Sequence, residues 1–129
     1  MEGLPRVDLA SIDWSEFDYP INAFYQGHGA WTMEPVPGEP EADPVERDNL
    51  LDYEQFDVVY YARIGENDGE HWTFAVRHTN GYYVYFDAGC DYTGFDCQGG
   101  GSIVYSRDSK AMWSLGLTPE ARLTLMGED

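Results

Sequence analysis

Lysine is almost missing from this chain: Lys110 stands alone, and with six arginines it faces 24 acidic residues, for a formal charge of −17 over 129 residues. A chain so poor in cations cannot track a phosphate backbone, which argues against direct nucleic-acid binding. It finds no attraction at an anionic membrane surface either. Long apolar runs are absent as well: no stretch reaches the roughly 18 residues needed to cross a bilayer as a helix. The start, Met1 to Asp8, has neither the basic beginning nor the apolar centre of a secretory signal, so the expectation is a cytoplasmic protein. Cysteine is scarce (Cys90 and Cys97), and histidine is limited to His28, His71 and His78. There is no internal repeat and no linker that would divide the chain.

What is present points to a folded globule. Hydrophobic residues make up 43% of the chain and aromatics 16%, enough for one domain over 1–129 with a modest core. The charge is uneven: residues 1–57 hold fourteen acids against two bases, residues 58–129 ten against five. Three explanations compete. Acidity serves solubility or salt adaptation; it forms a surface that docks on a basic partner; or it gathers carboxylates around a divalent cation.

The clearest structural signal is Asn80-Gly81 between two apolar runs, the mark of a tight β-hairpin. A two-residue loop there pairs His78 with Tyr83, Val76 with Tyr85 and Phe74 with Asp87. Trp72, Phe74, Val76, His78, Tyr83 and Tyr85 then share one face, and both faces carry large apolar groups, so the sheet is covered on both sides. With further strands over 58–64 and 102–106, the expectation is an α+β domain. Its centre is an antiparallel β-meander of four to five strands over 58–106, followed by short helices over 108–126, the two C-terminal helices lying on one face. Residues 8–57 are expected to form an acidic arm and helix against it. Within them, Asp13 caps a short turn bearing Trp14 and Phe17, and Pro20 ends it. A first strand, broken by a glycine-flanked bend, falls between Ile21 and Met33. Residues 34–44, with four prolines, form an exposed loop. Asp43-Pro44-Val45-Glu46 opens a helix over 44–53 that shows Glu46, Asp48, Asp52 and Glu54 to solvent.

Candidates for chemistry are few. Cys90 and Cys97 admit four readings: packing residues, a loop-closing disulfide, half of a zinc site completed by His28, His71 or His78, or a Cys-His nucleophile. Asp87, Asp91 and Asp96 with Thr93 ring the same loop without calcium-loop spacing, and Gly99-Gly100-Gly101 lacks the Lys-Ser/Thr of a phosphate loop. No paired carboxylates or Ser-His-Asp set can be singled out, and no cofactor or metal is expected.

Asp91-Tyr92-Thr93-Gly94-Phe95-Asp96-Cys97-Gln98, followed by a Gly-rich step and Gly116-Leu117-Thr118-Pro119-Glu120-Ala121-Arg122, resembles a pattern in small bacterial and phage proteins that often carry Trp at the position of Phe95. The resemblance covers about the last third of the chain. No activity is attached to it, so it implies only that the loop is a shared structural element.

The leading functional expectation is a non-enzymatic protein that engages a basic protein surface through Glu34, Glu39, Glu41, Asp43, Glu46, Asp48, Asp52 and Glu54, with Trp31 and Tyr53 as aromatic anchors. Such a protein suits a nucleic-acid mimic that inhibits a host defence or nucleic-acid enzyme, as small acidic phage proteins do. The rivals are a small metal- or thiol-dependent enzyme using Cys90, Cys97, His71 and His78, and a structural or assembly subunit.

Overall fold

Five strands form one sheet in the computed structural model, which describes residues 4, 6–27, 30–63, 71–89 and 100–126, with positions 19, 23 and 71 described by their backbone alone. β2 (Phe56–Arg63), β3 (His71–His78), β4 (Tyr83–Gly89) and β5 (Gly100–Ser106) follow one another as antiparallel neighbours. The sheet is nonetheless mixed, which corrects the antiparallel expectation. β1 (Ala30–Pro35) lies beside β5 and runs parallel to it, giving the order β1-β5-β4-β3-β2. A tight turn forces antiparallel neighbours, but no tight turn joins β1 to β5, and the 36–55 connection is long enough to cross from one edge of the sheet to the other.

The hairpin forms, but its register differs from the expected one by a residue. Gly81 N–H donates to the His78 carbonyl (3.0 Å) and His78 N–H to the Tyr82 carbonyl (2.7 Å). Gly81 takes a positive φ, +94°. Thr79-Asn80-Gly81 is thus a three-residue loop with a glycine bulge rather than an Asn-Gly two-residue loop. The Asn80 side chain accepts from Tyr82 N–H at 3.0 Å and holds that geometry. Pairing becomes Arg77 with Tyr83, Val76 with Val84 and Phe74 with Phe86. A one-residue slip exchanges faces along a whole strand. Tyr83 and Tyr85 therefore leave the Phe74 face, and Phe86 arrives there to stack on Phe74 with centroids 4.7 Å apart.

Both faces are covered. Phe74, Val76, Val84, Phe86, Ile103 and Tyr105 form one buried cluster with Phe17, Ile21, Leu50 and Leu51 from the chain before β2. Val58, Tyr60, Ala75, Tyr83 and Tyr85 form another with Val36, Met112, Leu117 and Leu125. The glycine run has a packing reason. A Cβ on Gly101 would lie 2.1 Å from the Asp87 carbonyl oxygen, and one on Gly100 would lie 2.5 Å from that of Ala30. β5 approaches its neighbours too closely for side chains there.

The covering helices also depart from expectation. Asp13 caps a 3-10 turn, Trp14–Phe17, through Ser15 N–H. Pro20 does not end the helical segment; it sits in the first turn of α1 (Asp18–Gln26). Proline is tolerated in the first turn of an α-helix, where its fixed φ suits the backbone. The strand expected from Ile21 accordingly begins only at Ala30. α2 (Pro44–Asn49) starts as expected on Asp43, whose carboxylate accepts from Val45 N–H at 2.9 Å, but it is shorter than 44–53. Asp52 restarts the chain as a separate 3-10 turn, Tyr53–Gln55. This break lets Leu50 and Leu51, adjacent in sequence, both reach the core. The proline-rich segment before α2 is tied down: Val36 is buried, and Ala42 N–H donates to the buried Tyr105 hydroxyl (3.0 Å). Beyond β5, α3 (Ser109–Ala111) runs into a π-turn, Met112–Gly116, and Thr118 caps α4 (Pro119–Leu125). Among the described residues no helix is long and apolar enough to cross a membrane.

Candidate functional site

The acidic residues of 34–54 divide by what they touch. Glu39 accepts from the Ser106 hydroxyl (2.5 Å) and from Arg107 N–H (3.2 Å), so it closes the proline-rich segment onto the end of β5. Glu46 pairs with Arg107 at 2.6 Å, and that guanidinium lies 4.5 Å over the Tyr82 ring. Asp43 and Asp52 are spent on caps, Asp52 accepting from both Glu54 N–H and the Gln55 amide. Glu34, Glu41, Asp48 and Glu54 are exposed. Of the eight, two serve mainly as latches and the rest face solvent wholly or in part.

Four carboxylates gather around two tyrosines. Tyr53 donates to Asp18 at 3.0 Å, and its phenol is pushed up by that bond, by burial, and by the charges of Asp18, Glu54 and Asp52. Tyr25 donates to the Asp48 main-chain carbonyl at 2.7 Å. Burial, then the charges of Asp48 and Asp52, push its phenol up to about 12. Burial leads the shift at Tyr25 and the bond to Asp18 leads it at Tyr53, and in each the charges of neighbouring carboxylates add to it. Asp18, Asp48, Asp52 and Glu54 therefore share a region, which α1, α2 and the Tyr53–Gln55 turn assemble.

Asp18 and Tyr25 were not among the sequence candidates. They lie seven residues apart, two turns along one face of α1, and that spacing becomes visible only once the segment is known to be helical. Trp31 and Tyr53 are half-buried. Trp31 packs against Phe24 (5.6 Å) and Phe86 (6.0 Å), and Tyr53 stacks on Trp14 at 5.8 Å. The aromatic displayed beside the carboxylates is Tyr25, 46% exposed, with Val45 on α2 exposed as well.

The residues of the thiol and metal alternatives mostly fall elsewhere. Cys90, Cys97, Asp91, Asp96 and Thr93, with the Asp91–Gln98 stretch of the resemblance, lie outside the described residues, as do His28 and the His71 side chain. His78 is buried between the hairpin and α2. Its Nδ1 accepts from Asn80 N–H (3.2 Å), so Nε2 carries the proton and donates to the Asn49 carbonyl (2.9 Å). Both ring nitrogens are thereby occupied in joining the turn to the end of α2. Asp87 is half-buried on β4. Among the described residues no three His, Cys, Asp or Glu side chains group as a metal site. No protein-family model, curated protein or solved structure matches the chain.

Proposed function

We propose that this is a non-enzymatic acidic binding protein that docks on a basic protein surface, and that it inhibits a host defence or nucleic-acid enzyme by occupying the groove meant for phosphates. The observation that carries the reading is the gathering of Asp18, Asp48, Asp52 and Glu54 around Tyr25 and Tyr53. Carboxylates around exposed and half-buried aromatics supply both parts of a recognition surface. The charges steer a cationic partner and set its register, and the rings give apolar area that rewards close contact. Glu41 and Asp43 extend the negative surface along the start of α2, whereas Glu34 lies beside Val104 on the other face of the sheet and is not part of it.

The test is affinity capture from the native host at low and high salt, with the wild-type chain and an Asp48→Lys, Asp52→Lys, Glu54→Lys variant as baits. A cationic partner retained by the wild type at low salt, released at high salt and lost on the variant supports the reading. Equal retention by both baits overturns it.

A further inference from the structure

A cavity of about 290 Å³ opens between α1, β1 and α2, lined by Phe24, Tyr25, Met33, Pro44, Arg47 and Asp48. Its volume is near the lower end of the ~300–1,000 Å³ found for small-molecule sites. Arg47 is the unusual member. It lies in the most acidic part of a chain of net charge −17, yet no carboxylate among the described residues pairs with it. Its Nη2 reaches the Met33 carbonyl at a long 3.4 Å, and its buried Nε has no acceptor. A half-buried guanidinium left so poorly satisfied is costly unless another group completes it.

Asp48 lines the same cavity and does not complete it. Successive helical residues point about 100° apart, so the two charges flank the space without meeting. Phe24, Met33 and Pro44 supply the apolar walls. A carboxylic acid entering this space would satisfy Arg47 but face Asp48, and an amine would do the reverse. A neutral apolar molecule would strip water from both charges and return nothing.

We propose that the cavity binds a small zwitterionic α-amino acid with an apolar side chain. The carboxylate sits on the Arg47 guanidinium, the ammonium on the Asp48 carboxylate, and the side chain lies against Phe24, Met33 and Pro44. The site shares Tyr25 and Asp48 with the docking surface but does not rest on that reading, since its ligand is small and has no net charge.

Isothermal titration with L-leucine, its deaminated counterpart isocaproate and its decarboxylated counterpart isoamylamine tests the assignment on the full chain. Leucine should bind saturably, and each single-charge analogue should bind at least about tenfold more weakly, the loss of one charged hydrogen-bonded contact. Arg47→Gln and Asp48→Asn should each weaken leucine by a similar factor. Asp48 is exposed, so Asp48→Asn keeps the fold and decides the matter alone should Arg47→Gln fail to fold. No saturable heat with leucine overturns the proposal. So does isocaproate or isoamylamine binding as tightly as leucine, or leucine affinity unchanged by Asp48→Asn.

Discussion

The two faces of the sheet are built from different aromatics. Phenylalanine and tryptophan predominate on the face covered by the chain before β2, beside the buried Tyr82 and Tyr105, and there Phe74 meets Phe86, Phe17, Phe56 and Trp14 at centroid distances of 4.7–5.8 Å. Tyrosine dominates the other, where Tyr60 stacks loosely on Tyr83 at 6.4 Å and Tyr85 packs near the last helices. The most acidic half of the chain thus covers the driest core. Short caps and turns turn Phe17, Ile21, Leu50 and Leu51 inward and leave the carboxylates between them on the outer surface. Dense burial on one side of that layer is what allows so much like charge to be held on the other, because net repulsion is spread over a shell anchored by many apolar contacts.

Removing the centre of the first face should break the comparison most severely. Phe74→Ala is expected to cost about 3–5 kcal/mol in urea unfolding, since the ring is wholly buried and its neighbours are rings that cannot collapse into the gap. Leu125→Ala, on the other face at the last turn of α4, should cost about 2 kcal/mol, the low end for such a truncation, because a terminal helix can settle inward. Equal losses would show that the faces are equivalent.

The glycines offer a second contrast. Gly101→Ala drives a Cβ into backbone, the Asp87 carbonyl, and should destabilise by about 1–3 kcal/mol or more. At Gly116 the first atom met is the Met112 sulfur, the end of a flexible side chain, so Gly116→Ala should cost less under the same assay. Between the acidic layer and the hairpin stands His78. Replacing it by alanine leaves the Asn49 carbonyl without its donor, at about 1–3 kcal/mol, and should loosen the end of α2 before the sheet, as amide exchange would report.

The smallest effect distinguishes the faces by charge. Tyr25 and Tyr85 are both pushed up to about 12, first by burial, then by Asp48 and Asp52 at Tyr25 and by Asp87 at Tyr85. A phenol raised from its ordinary 10.0 favours the fold while protonated. The stability it contributes is complete below pH 10 and is lost as pH climbs toward about 12. Asp48→Asn should lower the Tyr25 phenol in an ultraviolet titration, leaving it above the ordinary value through burial, and should leave Tyr85 unmoved.

Much of this was legible in the residues and some was not, for identifiable reasons. The β-branched and aromatic runs mark β2 to β5, and Asp43-Pro44 marks α2, because those signals are local. Asn80-Gly81 marks a turn but is compatible with two loop lengths, and one residue decides which face each side chain takes. Pro20 reads equally as a helix stop or a first-turn residue. The parallel pairing of β1 with β5 depends on contacts seventy residues apart, which no local pattern announces. The acidic residues of 34–54 were visible from composition. Asp18 and Tyr25 were not, since their meeting with Asp48 and Asp52 depends on the helix that Pro20 disguised.

The central claim is that negative potential is concentrated around Tyr25 and Tyr53 rather than spread over the molecule. Amide chemical-shift mapping with a short oligolysine peptide, at low and then high salt, measures this directly. The account predicts salt-sensitive shifts confined to Asp18, Tyr25, Asp48, Asp52, Tyr53 and Glu54. Shifts of equal size on the opposite side, at β4 and α4, would contradict it.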